Sequence, residues 1–315
     1  MISKASAPGK VILFGEQFVV YGEKAILGSI DKRIKVTSET NKEKLISVSS
    51  SLGQLKIPIT ESYEGLDSPL KPFFYIANEM IKKFNHDGGI KIVIDSEVPS
   101  GVGLGSSSAC CVAGAASVSN LFTKLSREEI LELAIQAEQT IFKNTSGADC
   151  TVCTYGGIIE YGKKSGFNKI NSKNDFVLVI ANSGIPHHTN LIVSKVKKFK
   201  ESHENEFSIL CKKEAELINK ANQALKINDL VVLGEKMSKN QEYLEEIGVS
   251  NDKLQDMIKM AEKNAYGAKI TGAGDGGCIV ALTDEANLEK TMNNLRSGNF
   301  ECFSVKIDSK GLDAF

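Results

Sequence analysis

The chain has 315 residues, of which 42% are hydrophobic and 24% charged, and its formal net charge is −1 from 38 basic and 39 acidic side chains. This length predicts two domains, and the balanced charge excludes the broad basic surface typical of nucleic-acid-binding proteins. No apolar run reaches the roughly 18 residues of a membrane-spanning helix and the start lacks a signal-peptide core, so we expect a cytoplasmic protein with no membrane or nucleic-acid partner.

The first hundred residues are predicted to form short strands and one helix. Segment 72–85 has helical spacing, with its apolar residues on one broad face. Four other runs show the alternating or β-branched pattern of strands. These predicted strands are Lys10–Phe14, Ile34–Ser38, Lys44–Ser49 and Ile90–Asp95.

The middle of the chain is predicted to hold a glycine-rich loop and two helices. Ser100–Gly105 is the loop, and the small apolar residues of Ala109–Leu121 suit a buried helix. Ser126 is followed three residues later by Glu129, which is the pattern of a capping box at a helix start. A strand is predicted next, over Thr151–Tyr161.

The polar segment 162–174 is the predicted junction between two domains, 1–165 and 166–315. Beyond it, strands and helices cluster and do not alternate strictly, which favours an α+β fold over a doubly wound sheet. The predicted strands are Phe176–Ala181, Cys278–Leu282 and Cys302–Ile307, and the predicted helices cover about 190–202, 207–226, 229–246, 251–264 and 285–295.

The segment Pro99–Ser108 is a candidate cradle for an anion. Its glycines let the backbone approach a ligand, and free N–H groups at a helix start favour phosphate oxygens. The alternative is a flexible turn before a tightly packed helix.

Two standard nucleotide motifs are excluded by their context. Lys164 replaces the Ser or Thr of a P-loop over 157–164, and a strand follows 272–277 where a dinucleotide motif needs a helix.

Glu138 lies on a predicted helix face that is otherwise apolar, because Leu131, Ile135 and Phe142 share that face. A carboxylate there is costly unless it is paired or binds a cation. The alternatives are a Glu at the edge of the face that reaches solvent, or a salt bridge. Asp149 follows eleven residues later, just before the predicted strand, at a position where Asp is otherwise a common turn former.

Three motifs in this order resemble those of the GHMP kinases, and most closely the mevalonate kinase branch. They are Ala7–Gly22, Pro99–Ser108 and Lys269–Cys278. The resemblance implies an α+β fold of two domains, the first like domain 2 of ribosomal protein S5 and the second ferredoxin-like. It also implies a homodimer that uses ATP and Mg²⁺ to phosphorylate the primary hydroxyl of the small molecule mevalonate.

The resemblance also assigns roles to individual residues. Asp149 would be the catalytic acceptor of the hydroxyl proton, supported by Lys10, and Glu138 and Ser107 would bind Mg²⁺, with Ser106 as the alternative to Ser107. The nucleotide would bind Pro99, Gly101, Val102, Gly103, Leu104, Gly105, Ser106, Ser107 and Ser108. The substrate would bind Lys10, Glu16, Gln17, Asp149, Thr189, Gly272 and Ala273. His187 and His188 fit either a substrate contact or a surface role.

Two positions depart from the pattern of this branch. Gln17 stands where His is usual, and although Gln can donate a hydrogen bond it cannot carry a proton. Asp275 stands where glycine is common, but Asp tolerates left-handed backbone angles better than most residues.

Three alternative functions stay open. They are a related kinase acting on phosphomevalonate, homoserine or a sugar; a lyase of the mevalonate-diphosphate decarboxylase branch; and a ligand sensor of the same fold without catalysis.

Overall fold

The structure is a computed structural model that describes residues 1–99, 101–186 and 189–314, apart from the side chain of Asn190. The predictions made for Ser100, His187 and His188 therefore lie outside the described residues. Two β-sheets with helices packed against them organise the rest of the chain.

The first sheet has eight strands and is built mainly from the N-terminal half. Its order is β12-β1-β2-β5-β3-β4, and β6 pairs with both β2 and β7. Every pairing is antiparallel except that of β3 with β5. The strands are β1 (Ile2–Phe14), β2 (Ala25–Asn41), β3 (Leu45–Ser50), β4 (Gly53–Pro58), β5 (Gly89–Ser96), β6 (Ile158–Gly162), β7 (Gly166–Ile170) and β12 (Asp313–Ala314).

Four α-helices lie in the described part of this half: α1 (Lys71–Lys83), α2 (Ser106–Ser119), α3 (Arg127–Gln139) and α4 (Ala148–Tyr155). Helix α2 is buried along most of its length, and small residues are needed there because a Cβ atom at Gly114 would lie 2.7 Å from the Phe73 ring. The capping box of α3 is confirmed. The Ser126 hydroxyl accepts a bond of 3.2 Å from the Glu129 amide, and the Glu129 carboxylate accepts one of 2.7 Å from the Ser126 amide.

The strand predicted over Thr151–Tyr161 is wrong in its first half, where α4 lies. The β-branched Thr151 and Thr154 favour strands in general. Here each hydroxyl donates to the carbonyl four residues earlier, at 2.7 and 2.8 Å, and α4 packs against α2 and β1. Gly156 and Gly157 have positive φ angles of 69° and 76° and end the helix, so the strand β6 begins only at Ile158.

The second sheet has four antiparallel strands in the order β11-β8-β10-β9. With the intervening helices this is the β-α-β-β-α-β order of a ferredoxin-like domain, as expected. The strands are β8 (Val177–Asn182), β9 (Gly267–Thr271), β10 (Cys278–Thr283) and β11 (Glu301–Val305). The helices are α5 (Thr189–Ser202), α6 (Glu204–Ile227), α7 (Leu230–Glu246), α8 (Asp252–Glu262) and α9 (Leu288–Ser297).

The two halves are joined at several points. Strand β7 begins at Gly166 and β12 lies near the C-terminus, yet both pair in the first sheet. The division at 165/166 therefore stays a proposal. The side chain of Thr271 on β9 binds the backbone of Ile12 on β1, at 3.0 Å from its nitrogen and 3.2 Å from its oxygen.

Among the described helices, none is both long and apolar enough to cross a membrane.

Candidate active site

Lys10 and Asp149 form an ion pair between β1 and the first turn of α4. The Lys10 Nζ atom lies 3.0 Å from Asp149 Oδ2, and the side chains are 4% and 34% exposed. Asp149 takes this place because Gly147 precedes α4 with a φ angle of 81°, a conformation that favours glycine. The pair thus combines a buried cation with a carboxylate that is open on one side.

The glycine loop packs directly against Lys10. The Lys10 amide donates to the Leu104 carbonyl at 2.9 Å, and a Cβ atom at Gly105 would lie 2.5 Å from Cγ of Lys10. Helix α2 begins immediately afterwards, at Ser106, so its unpaired N–H groups lie beside the ion pair. Such a helix start favours anions. The side chains of Leu104 and Ser108 are buried, which leaves them only their backbone groups to offer a nucleotide.

Glu138, near the end of α3, is 4% exposed and accepts two hydrogen bonds from hydroxyl groups. Ser108 donates to one carboxylate oxygen, and Thr145 donates to the other at 2.5 Å. Burial raises the pKa of Glu138, and the Asp149 charge acts in the same direction, whereas the two hydroxyl groups lower it. Ser108 and not Ser107 contacts this carboxylate, so the metal role of Ser107 stays a prediction.

The third of the three motifs forms a glycine-rich turn over residues 272–277, which we call the third turn. It faces the glycine loop of the second motif, Pro99–Ser108, which is the phosphate-loop candidate. A Cβ atom at Gly272 would lie 3.5 Å from Cα of Gly103. The Gln17 side chain donates to the Ala273 carbonyl at 2.8 Å, and because Gln17 is 7% exposed its amide serves mainly this contact. Asp275 has a φ angle of 57°, which confirms that this Asp adopts the left-handed conformation.

Thr189 opens α5 and is exposed. The segment just before it touches the third turn, since the Gly277 amide donates to the Ile185 carbonyl at 2.9 Å. Thr189 therefore lies on the side of the molecule where the third turn and the α5 start meet, and its substrate contact stays a prediction.

Sequence reasoning named Glu16 but missed the buried group of polar and charged residues around it. Glu16 and Lys269 form an ion pair in which both side chains are at most 1% exposed, and Lys269 also donates to the Ile270 carbonyl at 2.6 Å. Nearby, Asn240 donates to the Glu214 carboxylate at 2.7 Å. Burial, together with the charge of Glu16, raises the pKa of Glu214 to about 8. We call these four residues the buried cluster.

The buried cluster uses one oxygen of the Glu16 carboxylate, whereas the other, Oε2, is buried without a hydrogen-bond partner among the described residues. The substrate contact expected of Glu16 stays a prediction. The signal that could have found this pair is a charged residue, Lys269, in the otherwise uncharged strand β9.

The residues brought together can bind an anion and accept a proton. Lys10 and Asp149 lie under the glycine loop. The second carboxylate, Glu138, is close enough for the charge of Asp149 to add to the effect of burial in raising the Glu138 pKa. Within the described ranges, no cluster of three or more His, Cys, Asp or Glu side chains could hold a metal ion. A metal here would take one carboxylate, hydroxyl groups and ligand oxygens, which is a donor set that suits Mg²⁺.

Comparison with known proteins identifies the family. The family model of the GHMP kinases N terminal domain matches residues 72–157, and that of the GHMP kinases C terminal domain matches residues 221–300. The mevalonate kinase of Thermococcus onnurineus is 33% identical over 329 residues, covering 98% of this chain and 97% of that protein.

Solved structures extend this similarity to the fold. The Methanococcus jannaschii mevalonate kinase is 28% identical with a TM-score of 0.84, covering 98% of each chain. The L. major mevalonate kinase, solved in complex with R-mevalonate, is 26% identical with a TM-score of 0.81, covering 96% of each chain. Since the similarity spans almost the whole length in both sequence and structure, this chain is an enzyme of the GHMP kinase family.

Proposed function

We propose that this enzyme transfers the γ-phosphoryl group of ATP to the primary hydroxyl of mevalonate, giving 5-phosphomevalonate and ADP. The observation that carries the proposal is the Lys10–Asp149 ion pair beneath the glycine loop. The mevalonate kinases named above support the choice of acceptor, and one of them was solved with R-mevalonate.

In this mechanism Asp149 accepts the proton of the attacking hydroxyl as the new O–P bond forms. Its side chain is one-third exposed, so an alcohol can reach the carboxylate. Lys10 holds the carboxylate in place and offers positive charge where the hydroxyl oxygen becomes negative. Phosphoryl transfer needs mainly positioning and charge neutralisation, and this pair provides both on the acceptor side.

The nucleotide phosphates would lie against backbone N–H groups of Gly101–Ser108. Gly103 faces Gly272 of the third turn, which fits a ligand enclosed between the two glycine segments. The remaining substrate contacts are proposed to come from Glu16, Gln17, Thr189, Gly272 and Ala273. Of these, Gln17 would act chiefly by holding the third turn through the Ala273 carbonyl.

Glu138 and Ser107 would hold Mg²⁺, with Ser106 as the alternative hydroxyl. The fit rests on Glu138: each carboxylate oxygen accepts one hydroxyl bond and keeps a second lone pair for a cation. A Mg²⁺ ion held by these residues would supply positive charge that offsets the charge of the phosphates. Ser108 and Thr145 would then orient the carboxylate toward the phosphates, as partners of metal ligands do.

A coupled assay of ADP release with mevalonate, phosphomevalonate, homoserine and galactose tests the proposal. We expect mevalonate to give the largest kcat/KM. A larger kcat/KM with another acceptor would support the kinase activity but contradict the choice of mevalonate as substrate. Release of CO₂ would point to the decarboxylase branch, and ligand binding without ADP formation would point to a sensor.

Two further expectations belong to this proposal. We infer a homodimer, which light scattering coupled to gel filtration would test, and a mass near the 34.1 kDa of one chain would reject it. We also infer a cytoplasmic location, which fractionation of the source cells would test.

A further inference from the structure

The third glycine turn contains one charged side chain that the proposed mechanism does not use. Asp275 stands among Gly272, Gly274, Gly276 and Gly277, and its carboxylate is 39% exposed. Its amide donates to the Val249 carbonyl at 2.7 Å, which fixes the residue in its left-handed conformation. The carboxylate therefore has a defined position in a turn that also contacts the phosphate-loop candidate.

A negative charge at this position is unfavourable for binding an anion. The turn reaches Gly103 through Gly272, three residues before Asp275. A triphosphate held at the glycine loop would be repelled by an uncompensated carboxylate in this turn. A cation paired with Asp275 would offset that repulsion.

Lys195 of α5 supplies that cation. Its Nζ atom lies 3.2 Å from Asp275 Oδ2, and the lysine stem passes Gly248, where a Cβ atom would lie 3.7 Å from Cε of Lys195. The two residues are 80 positions apart, so the pair joins α5 to the turn and is not a pairing within one helix. Both side chains are partly exposed, and such pairs contribute little to folding stability. The effect is expected in ligand binding.

We propose that Lys195 is a positioning residue for the nucleotide, which neutralises Asp275 and holds α5 against the third turn. The inference rests on the proposed function, since it assumes a triphosphate at the glycine loop. It adds a residue outside the three motifs to the machinery that sets the affinity for ATP.

Steady-state kinetics of Lys195→Met, Asp275→Asn and the double variant test this inference. We expect Lys195→Met to raise the KM for ATP about threefold with kcat little changed, the size expected for a partly exposed ion pair. In the Asp275→Asn background the same Lys195→Met change should have no effect on KM. Added salt should shrink the defect of the single variant, because the repulsion is screened.

Lys197→Met is the matched control, since Lys197 lies on the same helix and pairs with Glu201. Equal KM values for Lys195→Met and Lys197→Met would overturn the inference, as would a defect that persists in the Asp275→Asn background. A lowered melting temperature with unchanged KM would show a structural role only. If the unmodified enzyme forms no ADP with any acceptor, the proposed function fails instead.

Discussion

Glu16 and Lys269 are 253 residues apart in sequence and form a fully buried ion pair between the segment after β1 and strand β9. Because Gln17 and Thr271 make their own contacts across the same boundary, the pair is the centre of a junction between the two halves of the molecule. Burial raises the pKa of Glu16, and the charges of Lys269 and of Lys10 on β1 lower it, so the junction lies near Lys10. Its integrity should therefore govern both stability and the geometry of the site.

We predict that Lys269→Met lowers the free energy of unfolding by on the order of 3–5 kcal/mol, because it leaves the buried Glu16 carboxylate without its cation. The double variant Glu16→Gln/Lys269→Met should recover most of this loss. Urea unfolding of both proteins measures the difference. The exposed Lys220→Met on α6 is the control, and a loss below about 1 kcal/mol for Lys269→Met would contradict the prediction.

A second prediction concerns the pH dependence of stability. The pKa of Glu214 is raised from 4.5 to about 8, so the folded protein keeps a proton in this window that the unfolded protein releases. Since the folded state then binds more protons, stability should fall as pH rises through the window and level off above pH 8. Melting temperatures between pH 5 and pH 9 measure this decline.

Glu214→Gln should flatten that decline, because its amide stays neutral at every pH in the range. The matched control is Glu216→Gln, an exposed position on the same helix. A decline of the same size in Glu214→Gln and in the unmodified protein would show that Glu214 does not carry the proton.

The third prediction addresses Asp149. We expect Asp149→Asn to lower kcat by at least about 10²-fold, the low end for acid–base groups, because the amide cannot take the hydroxyl proton. Nucleotide affinity should stay within about threefold in equilibrium titration, since the proposed phosphate contacts are backbone groups. The exposed Asp95→Asn on β5 serves as control, and near-normal turnover of Asp149→Asn would remove Asp149 from the mechanism.

The fourth prediction addresses the proposed metal ligand. Glu138→Gln should raise the Mg²⁺ concentration needed for half-maximal activity by about tenfold, because one anionic ligand is lost while the shape of the side chain is kept. Glu132→Gln, exposed on the same helix, is the comparison variant. Identical Mg²⁺ titrations of the two variants would argue against metal binding by Glu138.

Much of the fold could be predicted from local sequence patterns. The capping box of Ser126 and Glu129 and the helices of the second half were predictable, because hydrophobic spacing and end signals act over a few residues. Helix α4 was not, because the β-branched Thr151 and Thr154 favour a strand and only packing against α2 and β1 reverses that preference.

For some residues of the site the sequence predicted the contact, and for others it did not. Lys10 and Asp149 were named from motifs, and the structure places them in contact. The hydroxyl group that contacts Glu138 could not be selected from three consecutive serines, since one residue turns a helical side chain by about 100°. The pairing of Lys269 with Glu16 depends on how two sheets meet, which no local pattern encodes.

The close approach of Gly105 to Lys10 has a consequence for how variants of this enzyme are interpreted. Gly105→Ala would place a methyl group against the lysine stem, at a φ angle of 73° that already disfavours alanine. The displaced ammonium would leave the Asp149 carboxylate without its anchor. Damage to the nucleotide loop would then also disable the general base, so slow turnover in such a variant would not report on ATP binding alone.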